Sequence, residues 1–237
     1  MKGREGVQKK QGLGARLAAV AAFVHTGARL ADIGTDHAGL PLELLAAGKI
    51  SCAVAADVHA GPFEAANRAV QSRKAKNIEV RRGDGLAVLA PGEVDAVAVA
   101  GMGGSLICRI LAEGAAVLTE VKSLVLQPQN DAAELRAWLY DHGWHIADEA
   151  LALEDGRIYE ILLAEPGEEK KPDALLLEIG PVLWRKKPPL LRRHIERLLS
   201  RERRIANGMG KSESAKKSAG YEAVKKKIVA LEEKLIW

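Results

Sequence analysis

The sequence predicts a doubly wound α/β fold: a parallel sheet closed by a β-hairpin, with a basic helical hairpin appended. Three observations predict it. Short runs rich in Ala, Val, Leu and Ile recur between Ala28 and Ala164 and alternate with helix-period segments. The last two runs, Trp144 to Leu153 and Arg157 to Ala164, meet across Glu154-Asp155-Gly156, a hairpin signal. Beyond Pro181 the composition changes. Residues 181–237 hold 16 Lys/Arg and 6 Glu, a balance of +10; the chain totals of 35 and 31 leave 19 basic and 25 acidic residues for 1–180, a balance of −6.

The bounds agree. A chain of 237 residues holds one large domain or one domain plus an appendage. Aromatic residues are 4%, so the core must be built from Ala, Val, Leu and Ile. Cys52 and Cys108 form no CxxC pattern, which argues against a disulfide framework or a structural metal site. It points to a reducing compartment, and the expected location is the cytoplasm. Leu13, Leu17, Val20 and Val24 step by four, three and four, one stripe of a helix. The alternative for LAAVAAFV behind basic residues is a secretory leader. No later run approaches the roughly 18 apolar residues of a membrane span.

The elements then follow in order. Ala28 to Ile33 reads as a buried strand ending at Gly34, and Leu40 to Ala47 as a helix stopped by Gly48. Cys52 to Ala56 is a second strand ending at Asp57, followed by a helix from Pro62 to Ser72. Ile78 to Arg82 is a third strand, closed by Gly83-Asp84-Gly85. Val94 to Ala100 is a fourth, closed by Gly101-Met102-Gly103-Gly104, with Leu106 to Leu111 helical behind it. Leu124 to Leu126 is the heart of a fifth, and Asp131 is placed to cap a helix running through Tyr140. A terminal hairpin puts an antiparallel strand at the end of the set, as in class I methyltransferases.

The tail carries two seams. Tyr221, Val224, Ile228, Leu231 and Leu235 alternate steps of three and four; Leu191, Ile195, Leu198 and Ile205 form a similar line interrupted by Glu202. Pro188 and Pro189 mark the start of the first long helix, and residues 207–220 have no periodicity. Two antiparallel helices across a loop are expected. A strongly basic tail suggests a polyanionic partner, although a solvated hairpin explains the charge equally well. The expected division is a cofactor domain at 1–166 and a basic helical domain at 167–237. A body ending near Gly180 is expected to fold on its own sheet.

Ligands of such sheets sit at the carboxyl ends of the strands. Here Asp32 and Gly34 close the first strand, Asp57 the second, Asp84 the third, and glycines 101, 103 and 104 the fourth. A glycine lets backbone approach a ligand. An acid after the second strand can accept from ribose hydroxyls, and one after the third can accept from an adenine amino group. No GxGxxG or GxxxxGK[ST] is present, so the usual pyrophosphate cradle is missing. A cofactor with ribose and adenine but no phosphate fits, and S-adenosylmethionine is the common one.

These residues resemble the bacterial tRNA (adenine-22-N1) methyltransferases. The resemblance is carried by ADIGTDHAGL at 31–40, Gly61-Pro62-Phe63, Gly83-Asp84-Gly85-Leu86, AGMGG at 100–104, Leu126-Gln127-Pro128, LRAWL at 135–139, and Glu154-Asp155-Gly156 with Tyr159-Glu160. It implies a class I methyltransferase domain plus a helical domain that helps hold tRNA. By position, Asp32, Gly34 and Asp57 would meet the methionine and ribose parts of the cofactor. Asp84 and Gly85 would face its adenine, and Gly101 to Gly104 would replace the Asn/Asp-Pro-Pro-Tyr loop of many amino-group methyltransferases, with Gly101 and Met102 touching the cofactor. Gly103, Gly104, Gln127 and Asn130 would face the substrate base. Gln129 departs from the Asn that some members carry after Gln-Pro, which leaves open which residue near Asn130 touches substrate. The tail resembles the family in kind only.

Asp36 and His37 lie beside the first strand end and are the candidates for steering or proton uptake. His37 can equally be a cap bonded to backbone. Arg192, Arg193, Arg203 and Arg204, with Arg201 and Lys225 to Lys227, would bind phosphates without reading sequence. A monomer is expected. Two other readings remain open at this point: a methyltransferase for another RNA position or a small molecule, and a non-catalytic RNA-binding protein on the same fold.

Overall fold

The computed structural model describes residues 12–237. The first eleven positions of the expected cofactor domain, with the basic residues Lys2, Arg4, Lys9 and Lys10 that would head a secretory leader, lie outside them. Its strands are β1 (Ala28–Ile33), β2 (Ile50–Asp57), β3 (Ile78–Arg82), β4 (Ala96–Met102), β5 (Ser123–Pro128), β6 (Trp144–Glu154) and β7 (Arg157–Pro166). They form one sheet in the order β3-β2-β1-β4-β5-β7-β6. The first five are parallel, and β7 runs antiparallel between β5 and β6. The strand order reverses between β1 and β4, which opens a crevice above their carboxyl ends.

Alternation along the strands divides the core into two layers. Leu30, Ala96, Ala98 and Val125 face α1 (Ala15–Phe23), α2 (Gly39–Ala46) and α3 (Ala60–Ser72). Ala31, Ile33, Val97, Val99, Leu124 and Leu126 face α4 (Gly104–Glu113), α5 (Ala115–Leu118) and α6 (Ala132–Asp141). Many strand positions on the first face are alanines, including Ala28, Ala53 and Ala55. Small side chains let helices approach closely, so density is reached with few aromatics. On the second face each buried leucine contributes about 1.5–3 kcal/mol.

Local features depart from the sequence expectations. The fourth strand runs on past Ala100: Ala100 pairs with Gln127 and Met102 with Pro128, so Gly101 is a bulge, at φ +84°. Only glycine adopts that conformation without strain. The 3₁₀ turn at Gly85–Val88 and the short α5 have no periodic signal long enough to read. Asp131 precedes α6 as expected, but it sits at φ +52° and its side chain makes no capping bond. The loop is turned there by contact with the glycine run, because a Cβ at Gly104 would lie 2.5 Å from the Asp131 carbonyl oxygen.

Remote residues hold α1 at both ends. Gly14 has no side chain to cap it, and the Glu154 carboxylate accepts the Arg16 backbone N–H at 3.0 Å instead. A Cβ on Gly14 would overlap that carboxylate. At the other end the Lys49 ammonium donates to the carbonyls of Ala21 and Ala22 at 2.6 and 3.0 Å.

Beyond the sheet come α7 (Ala174–Ile179), α8 (Pro181–Lys186), α9 (Leu191–Met209), α10 (Glu213–Lys216) and α11 (Ala219–Glu233). The expected antiparallel pair is α9 with α11: Arg192 donates to the Leu235 carbonyl at one end, and Gly210 lies against Tyr221 at the other. Leu191, Ile195, Leu198 and Leu231 are buried between them and α7–α8. Two expectations fail in detail. Residues 207–220 are largely helical, because α9 continues to Met209 and the hydroxyls of Ser212 and Ser218 cap α10 and α11. Ile205 is exposed while Glu202, the apparent interruption, is buried and paired with Arg201 at 3.0 Å and Lys227 at 3.1 Å.

A buried polar network joins the tail to the sheet. The Arg136 guanidinium, fully buried in α6, donates to Glu149 at 2.7 Å, to Glu160 at 2.8 Å and to the Leu177 carbonyl at 2.9 Å. Burial alone would lower its pKa, but the two carboxylates outweigh this and hold it charged. Glu149 also accepts the backbone N–H groups of Val182 and Leu183, at 2.8 and 3.2 Å. Glu160 accepts from Arg197 at 2.9 Å. His194, also fully buried, is held below its ordinary pKa by burial, against the pull of Glu160. As a neutral ring it donates from Nε2 to the Ile179 carbonyl at 3.1 Å and accepts from Arg197 at 3.2 Å. A cut near Gly180 passes through this network, which ties the body to Val182, Leu183 and Arg197.

Candidate active site

The carboxyl end of β1 makes the first part of the site. Gly34 turns at φ +76°, and its N–H and that of Thr35 both donate to the Ala56 carbonyl, at 2.8 and 3.0 Å. A Cβ on Gly34 would run into the Met102 side chain. Asp32 is buried beneath this turn and accepts from the Thr35 hydroxyl at 2.5 Å. Burial pushes its carboxyl from 3.8 up to about 6; the Thr35 bond opposes this, the Asp57 carboxylate adds to it, and His37 opposes it weakly. Asp36 and Ala38 both adopt left-handed backbone, so the segment leading into α2 is tightly bent. The Asp36 carboxylate and His37 Nδ1 lie 3.0 Å apart, with both side chains exposed. Among the described residues the imidazole bonds that carboxylate, and the backbone-capping alternative is not seen.

The next two strand ends extend the crevice. Asp57, largely buried, accepts the His59 backbone N–H at 2.9 Å and fixes the turn into α3. Asp84 is exposed after β3, and Gly85 follows at φ +52°. A shallow cavity of about 500 Å³ lies there, walled by Phe63 and Val80 with Asp84 at its edge. An apolar wall beside an acceptor suits a flat ring that carries an amino group.

The ends of the fourth and fifth strands meet around the glycine run. Gly103 precedes α4, and the Gly104 N–H donates to the Asn130 carbonyl at 3.1 Å. The Gln129 N–H donates to the Met102 carbonyl at 2.7 Å, so the two loops are laced together. Asn130 is exposed, its side chain against Gly103. Gln127 is fully buried: its Nε2 donates to the Pro128 carbonyl at 2.8 Å, and its Oε1 accepts from Arg16 at 2.7 Å. Its amide is therefore occupied within the protein, and Arg16 is the group it presents outward. Among the described residues, no three His, Cys, Asp or Glu side chains come together to hold a metal.

A larger cleft of about 890 Å³ opens between the β5–α6 loop, the β6–β7 turn and α9. Arg193, Arg197 and Arg201 line it at intervals of four along α9, with Arg157 opposite. Arg193 donates to the Gly156 carbonyl at 3.2 Å. Arg204 continues the stripe by helical period. Arg192 and Arg203 turn toward α11, to the Leu235 carbonyl and to Glu232 at 2.6 Å, so the structure separates them from the cleft. Sequence reasoning missed Arg16, Glu154, Arg157 and Arg197. Of these only Arg197 carried a signal, since it completes the step of four between Arg193 and Arg201.

Comparison with known proteins agrees with this geometry. Residues 30–233 match the family model described as TrmK, tRNA (adenine(22)-N(1))-methyltransferase. A tRNA (adenine(22)-N(1))-methyltransferase from Bacillus subtilis is 42% identical over 181 residues, 74% of this chain and 76% of that protein. The crystal structure of the B. subtilis m1A22 tRNA methyltransferase TrmK superposes with TM-score 0.86 at 34% identity, covering 94% of this chain and 98% of that one. Streptococcus pneumoniae Sp1610, solved in complex with S-adenosyl-L-methionine, superposes with TM-score 0.80 at 37% identity, covering 93% and 98%.

Proposed function

The chain belongs to the tRNA (adenine(22)-N(1))-methyltransferase family, and on that premise we propose how it transfers a methyl group from S-adenosylmethionine to N1 of adenine 22 in tRNA. One observation carries the reading: acids and glycines occupy the carboxyl ends of four parallel strands in succession, with a glycine bulge where the acceptor base must enter. The residues present fit the cofactor. The Gly34 turn brings backbone against the Met102 side chain with no room for a Cβ between them, and the cavity beside Asp84 has an apolar wall.

Bound S-adenosylmethionine supplies an electrophilic methyl group on a sulfonium. Asp32 and the Gly34 turn would hold its amino-acid end, Asp57 would accept from the ribose hydroxyls, and Asp84 with Gly85 would meet the adenine. Gly101 and Met102 would border the reacting centre. Adenine N1 presents an in-plane lone pair and needs no deprotonation, so the chain's main task is alignment. Gly103 and Gly104 suit that task, because glycine there lets the loops after β4 and β5 pack against each other and hold Asn130 in place. Asn130 would flank the base. The new N1–C bond leaves the ring cationic, and loss of an N6 proton neutralises it. The exposed Asp36–His37 pair would receive that proton or steer the base.

The arginine stripe of α9 and Arg157 would hold the RNA backbone in the cleft beside the acceptor site, since they are cations on facing walls. Arg157 and Arg193 make no ion pair among the described residues and can take phosphates directly, whereas Arg197 and Arg201 are also held by Glu160, Glu178 and Glu202. The division proposed is cofactor binding by 1–166 and RNA holding by 167–237. No helix among the described residues is long and apolar enough to cross a membrane. We place the enzyme in the cytoplasm with its tRNA, as a monomer. Incubation with labelled S-adenosylmethionine and total tRNA, followed by nucleoside analysis, should yield 1-methyladenosine. N6-methyladenosine or a methylated guanosine would contradict the choice of acceptor atom.

A further inference from the structure

The amino-terminal end of α1 is built into the acceptor side of the site. Arg16 lies between the ends of β4 and β5. Its Nη1 is 2.7 Å from Gln127 Oε1 and 3.6 Å from the position a Cβ on Gly101 would take. Its guanidinium lies over the Tyr159 ring at 5.7 Å and 4.0 Å from the Glu154 carboxylate. The same carboxylate caps α1 through the Arg16 backbone N–H. Helix end and side chain are thus fixed together by the β6–β7 turn.

We propose that Arg16 is a substrate-positioning residue, its guanidinium donating to a hydrogen-bond acceptor on the target nucleotide, either a phosphate oxygen or a purine ring nitrogen. The inference rests on the tRNA methyltransferase reading above. Three features support it. The side chain is 22% exposed, enough to be reached from the crevice and little enough to be held rigid. Among the described residues its one side-chain hydrogen bond uses Nη1, which leaves Nη2 to donate outward. Gln127, whose other amide group is bound to Pro128, sets the plane of the fork. A planar fork held in place favours acceptors with fixed geometry over diffuse charge. Neutralising Glu154 alone would need no fork at all.

The test compares wild type with Arg16→Ala and Arg16→Lys on tRNA, measuring kcat/KM, cofactor affinity by calorimetry and melting temperature. Arg16→Ala should lower kcat/KM for tRNA by about 10- to 100-fold, the range for loss of one charge-assisted hydrogen bond. Cofactor affinity should stay near wild type, while the melting temperature falls by about 2–8 °C because the buried Gln127 Oε1 loses its donor. Arg16→Lys, which keeps the charge and loses the fork, should recover only part of the activity. The salt dependence of tRNA binding identifies the acceptor. If Arg16 holds a phosphate, Arg16→Ala lowers the slope of log K against log salt by about one. If it holds a ring nitrogen, the slope is unchanged, and wild type acts poorly on tRNA carrying 7-deazaadenine at the target. Arg16→Ala with wild-type kcat/KM would overturn the proposal, as would parallel loss of activity, cofactor affinity and stability. An inactive wild type would overturn the functional reading and this inference with it.

Discussion

Asp32 is placed to trade stability against the cofactor binding proposed for it. Its folded pKa of about 6 lies above its ordinary 3.8, so the folded chain binds more protons across that window. Stability contributed by this group therefore falls as pH rises from 3.8 through about 6, and the ionised form is the costly one at neutral pH. Ionised Asp32 is also the form suited to a cofactor ammonium. Asp32→Asn should raise the melting temperature at pH 7.5 by about 2–8 °C, on the scale of a few degrees per kcal/mol for a chain of this size. Calorimetry should show weaker S-adenosylmethionine binding in the same variant. Wild-type affinity should fall below pH 6, a dependence the variant lacks. A variant that melts lower and binds as wild type would refute this role. Gly104 gives a second prediction. A methyl group there meets the Asp131 carbonyl at 2.5 Å and the Asn130 carbonyl at 2.9 Å, both backbone atoms. Gly104→Ala must separate the two acceptor loops, and kcat should drop about 100-fold, as for a misplacement near 1 Å. Cofactor binding should change far less.

At the scale of elements, legibility in the sequence follows the range of the interactions. The strands and their closing residues Asp32, Gly34, Asp57 and Asp84 could be read because period and terminator lie side by side. The α9–α11 pair could be read from its seams. Arg136 stands in a readable helix, yet its burial depends on Glu149 and Glu160, which reach it only when the hairpin folds back. Glu202 looked like a break in a seam for the same reason, since Lys227 is a partner from another helix. The cap of α1 comes from Glu154, and nothing near Gly14 announces it. Arg136→Met should destabilise the protein by about 3–5 kcal/mol, because it leaves the buried Glu149 without a cation and removes one of the two arginines that hold Glu160. Denaturant titration measures this directly, and a change under 1 kcal/mol would contradict it. Along α9, Arg193→Ala and Arg204→Ala should each lower the salt slope of tRNA binding by about one. Arg192→Ala and Arg203→Ala, on the side facing α11, should change it less.

The whole molecule is a seven-stranded sheet whose far edge is fastened to a basic helical tail, proposed above to hold RNA. Glu149 reaches the backbone of α8 and Glu160 reaches α9, so the edge of the sheet and the wall of the cleft share one buried network. That arrangement fixes the cleft relative to the acceptor loops, as an enzyme must when its target nucleotide is drawn out of a folded RNA. The central claim concerns the atom and the nucleotide modified. It is tested most directly by methyl transfer to two transcripts of one tRNA, with adenine or guanine at position 22, read by reverse transcription. A methyl group on N1 blocks the pairing edge, so the account predicts a stop at position 22 in the adenine transcript and full read-through in the guanine one. A stop at another position, or equal methyl incorporation into both transcripts, would contradict it.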